Sequence, residues 1–324
     1  MKSNYNRRQF ITHSSIVTMG ALISFNPTYK KLKRIQLGVI SYSFRSVPHD
    51  VDKLLAFCVE CNANALEMMG DPAETYAGKP VNPIVFGPPP AGGQRPALTD
   101  DQKAQLAEYN KQVVAWRSTV SMDKFKEIGA KFKNAGINIY AFKPNAFGVN
   151  NSDAEIDYGM NAASALGATC VTVELPTDPA QSKRLGDFGE KHNIYVGYHA
   201  HLQATDTLWD TALSQSPFNS MNLDCGHYIA AGGKNTKESL LALIENKHER
   251  ITSLHIKDRT NSAHGAGNVA WGKGDTPIIE ILQLMKSKKY TFPATVELEY
   301  DIPGGSDAVQ EVKKCIAYAN KALS

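Results

Sequence analysis

The sequence predicts a single-domain (β/α)8 TIM barrel, a closed ring of eight parallel strands with helices around it. From residue 35 onward, short apolar or β-branched runs alternate with amphipathic helical segments. Strands separated by one helix each must be parallel, with right-handed crossovers. There are eight such runs, and eight units close into a barrel more naturally than they form an open sheet. The length of 324 residues is one that such a barrel commonly fills alone.

The predicted elements follow one another in order along the chain. Strands are expected at residues 35–41, 65–69, 137–142, 170–175, 194–199, 221–224, 251–256 and 294–298. Helical segments are expected at residues 50–62, 101–135, 153–166, 179–191, 205–213, 236–246, 277–288 and 307–322. The second segment is long enough for two helices, with a break near Ser118. Gly136 and Gly167 each follow a helical run, as glycine does at a helix C-terminus.

Two longer connections interrupt this alternation. Residues 71–99, rich in Pro and Gly, follow the second strand, and residues 258–275 follow the seventh. Both leave the barrel at the carboxyl ends of its strands, the face on which barrel active sites are built. Connections of this length in a compact domain are more often functional than idle. The first is expected to serve either as a lid or as an interface.

The N-terminal residues differ from the rest of the chain. Arg7-Arg8 precedes a modest apolar stretch of about 15 residues, too short for the roughly 20 that span a bilayer. This pattern resembles a twin-arginine export signal, the alternative being an ordinary basic helix. We expect a leader at residues 1–30, a barrel at residues 35–322, a periplasmic location and no membrane span in the mature form.

Charge and cysteine usage narrow the function classes. The formal net charge is +3, but residues 1–34 contain seven basic residues and no acidic ones. The remainder has 28 basic against 32 acidic residues, a net charge of −4, which gives no electrostatic reason to bind nucleic acid. Cys58 and Cys61 have redox-motif spacing, but they continue the apolar pattern of a helix, so a buried helix face is the favoured interpretation.

Metal-ligand residue types gather where five consecutive strands end. From the fourth strand to the eighth they are Glu174, His199 and His201, Asp224 and His227, His255, and Glu297 and Glu299; Glu67 ends the second strand. The carboxyl ends of barrel strands open into one bowl, and burying carboxylates and imidazoles together is costly unless a cation compensates their charge. A mixed set of this kind suits Mn, Zn, Co or Fe better than Ca. One divalent metal is therefore expected here.

Individual assignments stay open at this level. Glu174 alone would be a solvated strand end and His227 alone a helix cap, so it is their coincidence with the other strand ends that favours a metal site. Residues two apart share a face of a strand. Both His199 and His201 can therefore face the barrel interior at different depths, and the same holds for the two glutamates of the eighth strand.

Five motifs resemble the xylose isomerase-like TIM-barrel superfamily, and within it the proteins known as sugar phosphate isomerase/epimerase. They are Gly197-Tyr198-His199-Ala200-His201, Leu223-Asp224-Cys225-Gly226-His227, Leu254-His255-Ile256-Lys257-Asp258, Trp271-Gly272-Lys273-Gly274-Asp275 and Val296-Glu297-Leu298-Glu299. The resemblance runs over about residues 35–322. It is specific for the superfamily and poor for the substrate, because this barrel hosts epimerases, isomerases, dehydratases and lyases.

The resemblance implies a ligand set for the metal. It makes Asp224, His255 and Glu297 ligands. Sugar epimerases of the superfamily carry on strand five a glutamate that ligates the metal and takes a substrate proton, whereas that place here holds His199. Either His199 ligates the metal directly, or Glu174, one strand earlier, reaches across to complete the shell.

Proton transfer next to a carbonyl is the chemistry expected of this set. Such a proton is too weakly acidic to leave at a useful rate unaided. A metal on the carbonyl oxygen stabilises the enediolate, and a side-chain base moves the proton. The predicted proton-transfer residues are Glu174, His201 and Glu297. The predicted substrate contacts are His227, Lys257, Glu67 and Trp271, the last of which either stacks on a sugar or packs internally.

The expected function is isomerisation or epimerisation of a small, unphosphorylated carbohydrate, since sugar phosphates are scarce outside the cytoplasm. The alternatives are a lyase or hydratase acting on 3-keto-glycosides and a non-catalytic sugar-binding barrel. DNA repair of the endonuclease IV type shares the barrel, but it needs early-strand histidines that residues 139–143 lack. Family barrels often dimerise, so a homo-oligomer is an expected assembly.

Overall fold

The computed structural model describes residues 35–84 and 97–324, and within them the predicted barrel is confirmed. The strands of the barrel are β1 (Leu37–Ile40), β2 (Ala65–Met69), β3 (Asn138–Lys143), β4 (Cys170–Glu174), β5 (Tyr195–His199), β6 (Asn219–Asp224), β7 (Ile251–Ile256) and β10 (Ala294–Val296). All eight pair in parallel in the order β1-β10-β7-β6-β5-β4-β3-β2, and β1 closes the ring against β2. The twin-arginine prediction lies outside the described residues.

Eleven α-helices occur in the described residues. They are α1 (Val51–Glu60), α2 (Gly70–Tyr76), α3 (Asp100–Thr119), α4 (Asp123–Asn134), α5 (Asp153–Leu166), α6 (Pro179–His192), α7 (Asp210–Gln215), α8 (Cys225–Ala231), α9 (Lys237–Lys247), α10 (Ile278–Lys288) and α11 (Ala308–Leu323). The break expected near Ser118 separates α3 from α4. None of the described helices has both the length and the apolar character needed to cross a bilayer.

Helix ends follow the capping chemistry of the sequence. Thr99 and Gln102 form a capping box at the start of α3, and Ser152 and Glu155 form one at the start of α5. Gly167 ends α5 with a φ of +83°, a left-handed backbone that favours glycine. The expected C-terminal role of this glycine is confirmed.

Three helical regions differ from the prediction. Helix α2 lies at the start of the connection predicted at residues 71–99; its Pro72 stands in the first turn, where a missing N–H leaves no helical hydrogen bond unmade. Helix α8 was not expected, because it is only 7 residues long. The helix predicted at 205–213 begins instead at Asp210, after a run of turns.

The connection after β7 is an ordered hairpin. Its two short strands, β8 (Asp258–Arg259) and β9 (Asn268–Val269), pair antiparallel. The carboxylate of Asp258 accepts hydrogen bonds from the backbone N–H groups of Gly272 at 2.7 Å and Gly274 at 2.9 Å. A Cβ atom on Gly274 would lie 2.3 Å from Asp258 Oδ1, so only glycine fits this close approach.

A serine near the start of the described chain adds two hydrogen bonds where the ring closes. The Oγ of Ser43, just after β1, donates to the carbonyl of Val296 at 3.2 Å and accepts from the N–H of Leu298 at 3.0 Å. These contacts join residues 253 and 255 positions apart. They tie the last barrel strand to the first at the carboxyl end of the barrel.

The helix-face interpretation of the cysteine pair is confirmed. Cys58 and Cys61 are buried and unoxidised in the structure. Burial raises the pKa of both thiols. Neither has the lowered pKa and exposure of a redox-active cysteine.

Candidate metal centre

Four buried side chains meet at the carboxyl end of the barrel. His199 and Asp224 are the last residues of β5 and β6, His255 lies one residue before the end of β7, and Glu297 follows β10. One ligand atom from each lies within 4.8 Å of the others, and all four residues are buried. Adjacent parallel strands bring these distant positions together, as expected for a barrel mouth.

The donor set fits a divalent cation. Two imidazoles and two carboxylates suit Zn, Mn, Co or Fe. Two buried polar atoms in the set, His199 Nδ1 and Asp224 Oδ2, have no hydrogen-bond partner among the described residues. Buried polar atoms are nearly always satisfied, and of these two only Asp224 Oδ2 has an ion-pair contact in the described part of the chain, with Lys257. The two atoms are therefore an argument for a bound cation.

Lys257 lies beside the cluster. Its Nζ is 3.0 Å from Asp224 Oδ2, 2.7 Å from Glu297 Oε2 and 2.6 Å from Glu299 Oε2, and of these only the Glu299 contact has hydrogen-bond geometry. Burial would lower the pKa of Lys257, but the three carboxylates raise it overall. The ammonium therefore stays charged and faces the same carboxylates as the expected metal.

Glu67 is buried against the cluster, and this position corrects its predicted role as a substrate contact. The carboxylate is fully buried; it lies 2.7 Å from His255 Nε2 and accepts from Thr172 Oγ1 at 2.6 Å and from Tyr140 at 2.8 Å. Such contacts leave it no route to a substrate. Glu67 instead orients His255, as carboxylates behind metal-binding histidines do.

The charges of Glu67 and His255 are tightly coupled. Burial would lower the pKa of His255, but Glu67 and Glu297 raise it to about 10. Burial would raise the pKa of Glu67, but His255 lowers it to about 2. The pair is therefore an ion pair across neutral pH when no metal competes for the imidazole.

His227 has a fixed tautomer. Arg259 Nη1 lies 2.5 Å from His227 Nδ1, and an arginine keeps its protons, so Nδ1 accepts and Nε2 carries the ring proton. That nitrogen is 4.0 Å from Glu299 Oε2. Burial, followed by the charges of Lys257 and Arg259, lowers the pKa of His227 to about 2. The ring is thus a neutral hydrogen-bond donor.

The backbone of His227 serves a second purpose. Its N–H donates to Asp224 Oδ1 at 2.6 Å, which makes Asp224 the N-cap of α8. The helix therefore holds one carboxylate oxygen of Asp224 and leaves Oδ2 facing the cluster. The cap is Asp224, and His227 is the residue that it caps.

Glu174 lies outside the four-residue cluster, which corrects its prediction as a ligand. At the end of β4, its half-exposed carboxylate accepts from Lys143 at 3.1 Å and lies 3.4 Å from His201 Nδ1. His201 is exposed, and its ring lies 4.8 Å from that of His199. The other four predicted ligands come together, and Glu174 with His201 forms a neighbouring pair.

Trp271 packs internally. It is partly buried, and its ring meets Tyr318 of α11 edge to face at 5.9 Å and 89°. This geometry is typical of aromatic packing. Of the two roles left open by the sequence, the packing role is the one this contact supports.

Polar residues inside the strands were missed by the sequence reasoning. Tyr140, Thr172 and Asn222 all contact Glu67. The register of pairing shifts between Leu66 and Glu67; such irregularities re-aim side chains. The feature of the sequence that could have indicated these contacts is the presence of a polar residue within an otherwise apolar, buried strand.

Comparisons with known proteins agree with this barrel. A family profile described as xylose isomerase-like TIM barrel matches residues 104–318. No curated protein matches the sequence.

Several solved structures are similar in fold. A sugar phosphate isomerase/epimerase from Parabacteroides distasonis is 18% identical, with a TM-score of 0.57 over 90% of this chain and 96% of that one. D-psicose 3-epimerase from Clostridium cellulolyticum is 11% identical, with a TM-score of 0.57 over 90% and 100%. The 3-keto-D-glucoside 4-epimerase from E. coli is 11% identical, with a TM-score of 0.57 over 89% and 100%. At these identities the likeness is one of fold.

Proposed function

Because the chain belongs to the xylose isomerase-like TIM barrel family, we propose that it is a divalent-metal-dependent isomerase or epimerase of a small carbohydrate. The observation that carries the proposal is the buried cluster of His199, Asp224, His255 and Glu297. Sugar epimerases among the structurally similar barrels support carbohydrate as the substrate class.

The four side chains would hold Mn, Zn, Co or Fe, and two of them are positioned by hydrogen bonds from neighbouring groups. Asp224 is held by the N-terminus of α8, and His255 is oriented by Glu67. A cation bound there would stabilise the negative charge that builds on a substrate oxygen as a neighbouring C–H loses its proton. Glu297 acts in this proposal as a ligand.

Proton transfer falls to side chains around the cluster. Glu299 is partly accessible and lies near His227 Nε2; its carboxylate takes the proton from the substrate carbon, while His227 donates to a substrate oxygen. His201, supported by Glu174 and with its ring 4.6 Å from that of His227, returns a proton to the carbon. Inversion of the carbon centre requires that Glu299 and His201 meet opposite faces of the substrate.

A small cavity supports a sugar-sized ligand. It has a volume of about 230 Å³ and is lined by Ser43, Arg45 and Glu299, among others. Drug-sized ligands occupy roughly 300–1,000 Å³, so this cavity suits a single ring. Glu299 connects it to Lys257 and hence to the cluster.

A lyase or hydratase acting on 3-keto-glycosides is the second candidate. It uses the same loss of a proton next to a carbonyl, followed by departure of the group on the neighbouring carbon. A large cleft lies beside the cluster, and it offers the additional room that a glycoside needs over a free sugar. The mass of the product distinguishes the two candidate reactions. An isomerase or epimerase leaves the substrate mass unchanged, whereas a lyase divides the substrate into two smaller molecules.

Elemental analysis of the purified protein tests the proposal. Wild type should contain about one equivalent of metal, and Asp224→Asn or His255→Ala should lose it. Glu174→Gln is the matched control, since this carboxylate lies outside the cluster, and should keep the metal. If wild type holds no metal and none of the four ions stabilises it, the catalytic proposal fails and a sugar-binding barrel remains.

We also propose export to the periplasm by the twin-arginine route. The arginine pair and the short apolar stretch within residues 1–30 support this. Replacing Arg7 and Arg8 by lysine should leave the protein in the cytoplasmic fraction. Equal periplasmic amounts of the variant and wild type would contradict the proposed route.

A further inference from the structure

A cleft of about 880 Å³ opens beside the metal centre, over the carboxyl ends of β2, β3 and β4. Helices α2 and α3 form one wall, and the segment that follows β3, from Pro144 to Asn151, contributes the other. Its volume lies in the range of sites for drug-sized ligands, roughly 300–1,000 Å³. The cleft is therefore larger than a single sugar ring needs.

The inner edge of the cleft reaches the metal centre through direct contacts. Lys143 and Glu174 line that edge, and they are joined by a hydrogen bond of 3.1 Å. Glu174 lies 3.4 Å from His201, whose ring is 4.8 Å from that of the ligand His199. Glu174 and His201, each about half exposed, are therefore the side chains between the cleft and the cluster. A molecule that passes over them would reach both.

The charges that line the cleft are already paired with one another. Lys79 pairs with Glu74 at 3.0 Å, Arg117 with Glu74 at 3.0 Å and with Glu155 at 3.1 Å, and Lys143 with Glu174 at 3.1 Å. No cation among the described residues of the lining is left over for an anionic group. A phosphate or carboxylate on the ligand binds most strongly to such a cation, so the lining argues against an anionic occupant.

Neutral polar groups form part of the accessible lining, beside the exposed carboxylates of Asp71 and Glu174. Asn110, Asn145 and Asn150 are exposed there, and their side chains make no hydrogen bond to another described residue. Each amide offers two donors and an acceptor, which match the hydroxyl groups of a sugar. Tyr109 and Val113 add an apolar side on α3 that suits the C–H face of a ring.

We propose that this cleft binds a second, neutral sugar unit, so that the substrate is a disaccharide or another glycoside whose reacting ring lies at the metal centre. The inference rests on the proposed function, because the metal cluster is what places the reacting ring. It adds the size and charge of the substrate, which the cluster alone does not specify.

Calorimetric titration of the full-length, metal-containing protein tests the proposal. The probes are glucose and galactose, the disaccharides cellobiose, maltose and lactose, and glucose 6-phosphate. At least one disaccharide should bind about tenfold more tightly than the monosaccharides, about 1.4 kcal/mol, and glucose 6-phosphate should bind no better than glucose. Equal affinity for one and two rings, tighter binding of the phosphorylated sugar, or no binding of any probe would overturn the proposal.

Two substitutions test whether the higher affinity for a disaccharide comes from the cleft. Asn110→Ala and Asn145→Ala should each weaken disaccharide binding about fivefold, the effect of one lost hydrogen bond, and leave monosaccharide binding and metal content unchanged. Asn246→Ala, on the exposed face of α9, is the matched control and should change neither. If both cleft variants bind the disaccharide as wild type does, the second ring lies elsewhere.

These measurements separate the two proposals. If metal is present and a monosaccharide binds, but a second ring adds no affinity, the cleft proposal fails and the proposed function stands. If the metal itself is absent, the proposed function fails first.

Discussion

At the scale of single residues, the centre depends on side chains that never meet a substrate. Glu67 fixes the orientation of His255, and Arg259 fixes the proton of His227. Both act one contact away from the groups that would bind metal or sugar, and loss of such outer partners commonly lowers metal affinity or activity by about 10- to 100-fold. Their effects can be measured independently of turnover.

The pH dependence of stability should report on His255. In the metal-free protein its folded pKa is raised to about 10 from 6.5, so its contribution is complete below about pH 6.5 and is lost as pH rises toward 10. The melting temperature of chelator-treated protein should fall over that window. His255→Asn should flatten this part of the profile; an unchanged slope in that variant would assign the effect to another group.

Replacing Arg259 should release the tautomer of His227. In wild type, ¹⁵N NMR of the ring should show an unprotonated Nδ1 and a protonated Nε2. In Arg259→Met the Nδ1–H form should appear, and kcat should fall by about tenfold or more, as for a misplaced proton donor. Arg259→Lys, which keeps a donor, should restore much of the wild-type spectrum. Identical ring spectra in wild type and Arg259→Met would rule out this role.

Ends of neighbouring parallel strands had to converge, so the metal-ligand residue types at five strand ends could be grouped from the sequence, and the resemblance marked Asp224, His255 and Glu297. Parity could not choose between His199 and His201 or between Glu297 and Glu299, and the structure groups His199 and Glu297 with the cluster. Parity could not place Glu67, because the pairing register shifts just before it. Nor could it show that Glu174 turns toward Lys143 instead of the cluster, since that depends on side-chain contacts.

At the scale of elements, a buried ion triad joins three helices around the cleft. Arg117 of α3 contacts Glu74 of α2 and Glu155 of α5, and all three side chains are at most 8% exposed. Arg117 also donates to the carbonyl of Asn145. The walls of the cleft are thus fastened to each other by one side chain.

Removing the Arg117 side chain should lower the free energy of unfolding substantially. Arg117→Met leaves buried Glu155 without its cationic partner and Glu74 with Lys79 alone, and breaking a buried ion pair costs about 3–5 kcal/mol. Urea unfolding should show this decrease. Lys111→Met on the same helix breaks only an exposed pair with Glu108 and should change stability by less than about 1 kcal/mol. Similar values for the two variants would show that the triad is not a major stabilising contact.

Elements with strong periodicity were predictable, and short ones were not. All eight strands and the long helices follow from runs of apolar residues with clear spacing. Helices α2 and α8 span only 7 residues each, fewer than the pattern needs. Both lie directly after barrel strands, where tertiary contacts and the Asp224 cap, more than helix propensity, decide the conformation.

At the scale of the whole molecule, metal binding should be coupled to folding. The ligands come from β5, β6, β7 and the end of β10, so they are together only in the closed barrel. A metal at about 100 times its Kd would stabilise the folded state by about 2.7 kcal/mol. Calorimetry should show a higher Tm on adding metal to wild type and no change for Asp224→Asn. Equal shifts in both proteins would indicate binding elsewhere.

Ring closure also has a meaning for the order of synthesis. The two hydrogen bonds of Ser43, to Val296 and Leu298, join positions more than 250 residues apart. Glu297 lies between these two residues. A nascent chain can therefore assemble most of its strands on the ribosome while its ligand set stays incomplete. Metal binding would then become possible only after the last barrel strand has been translated and has paired with β1.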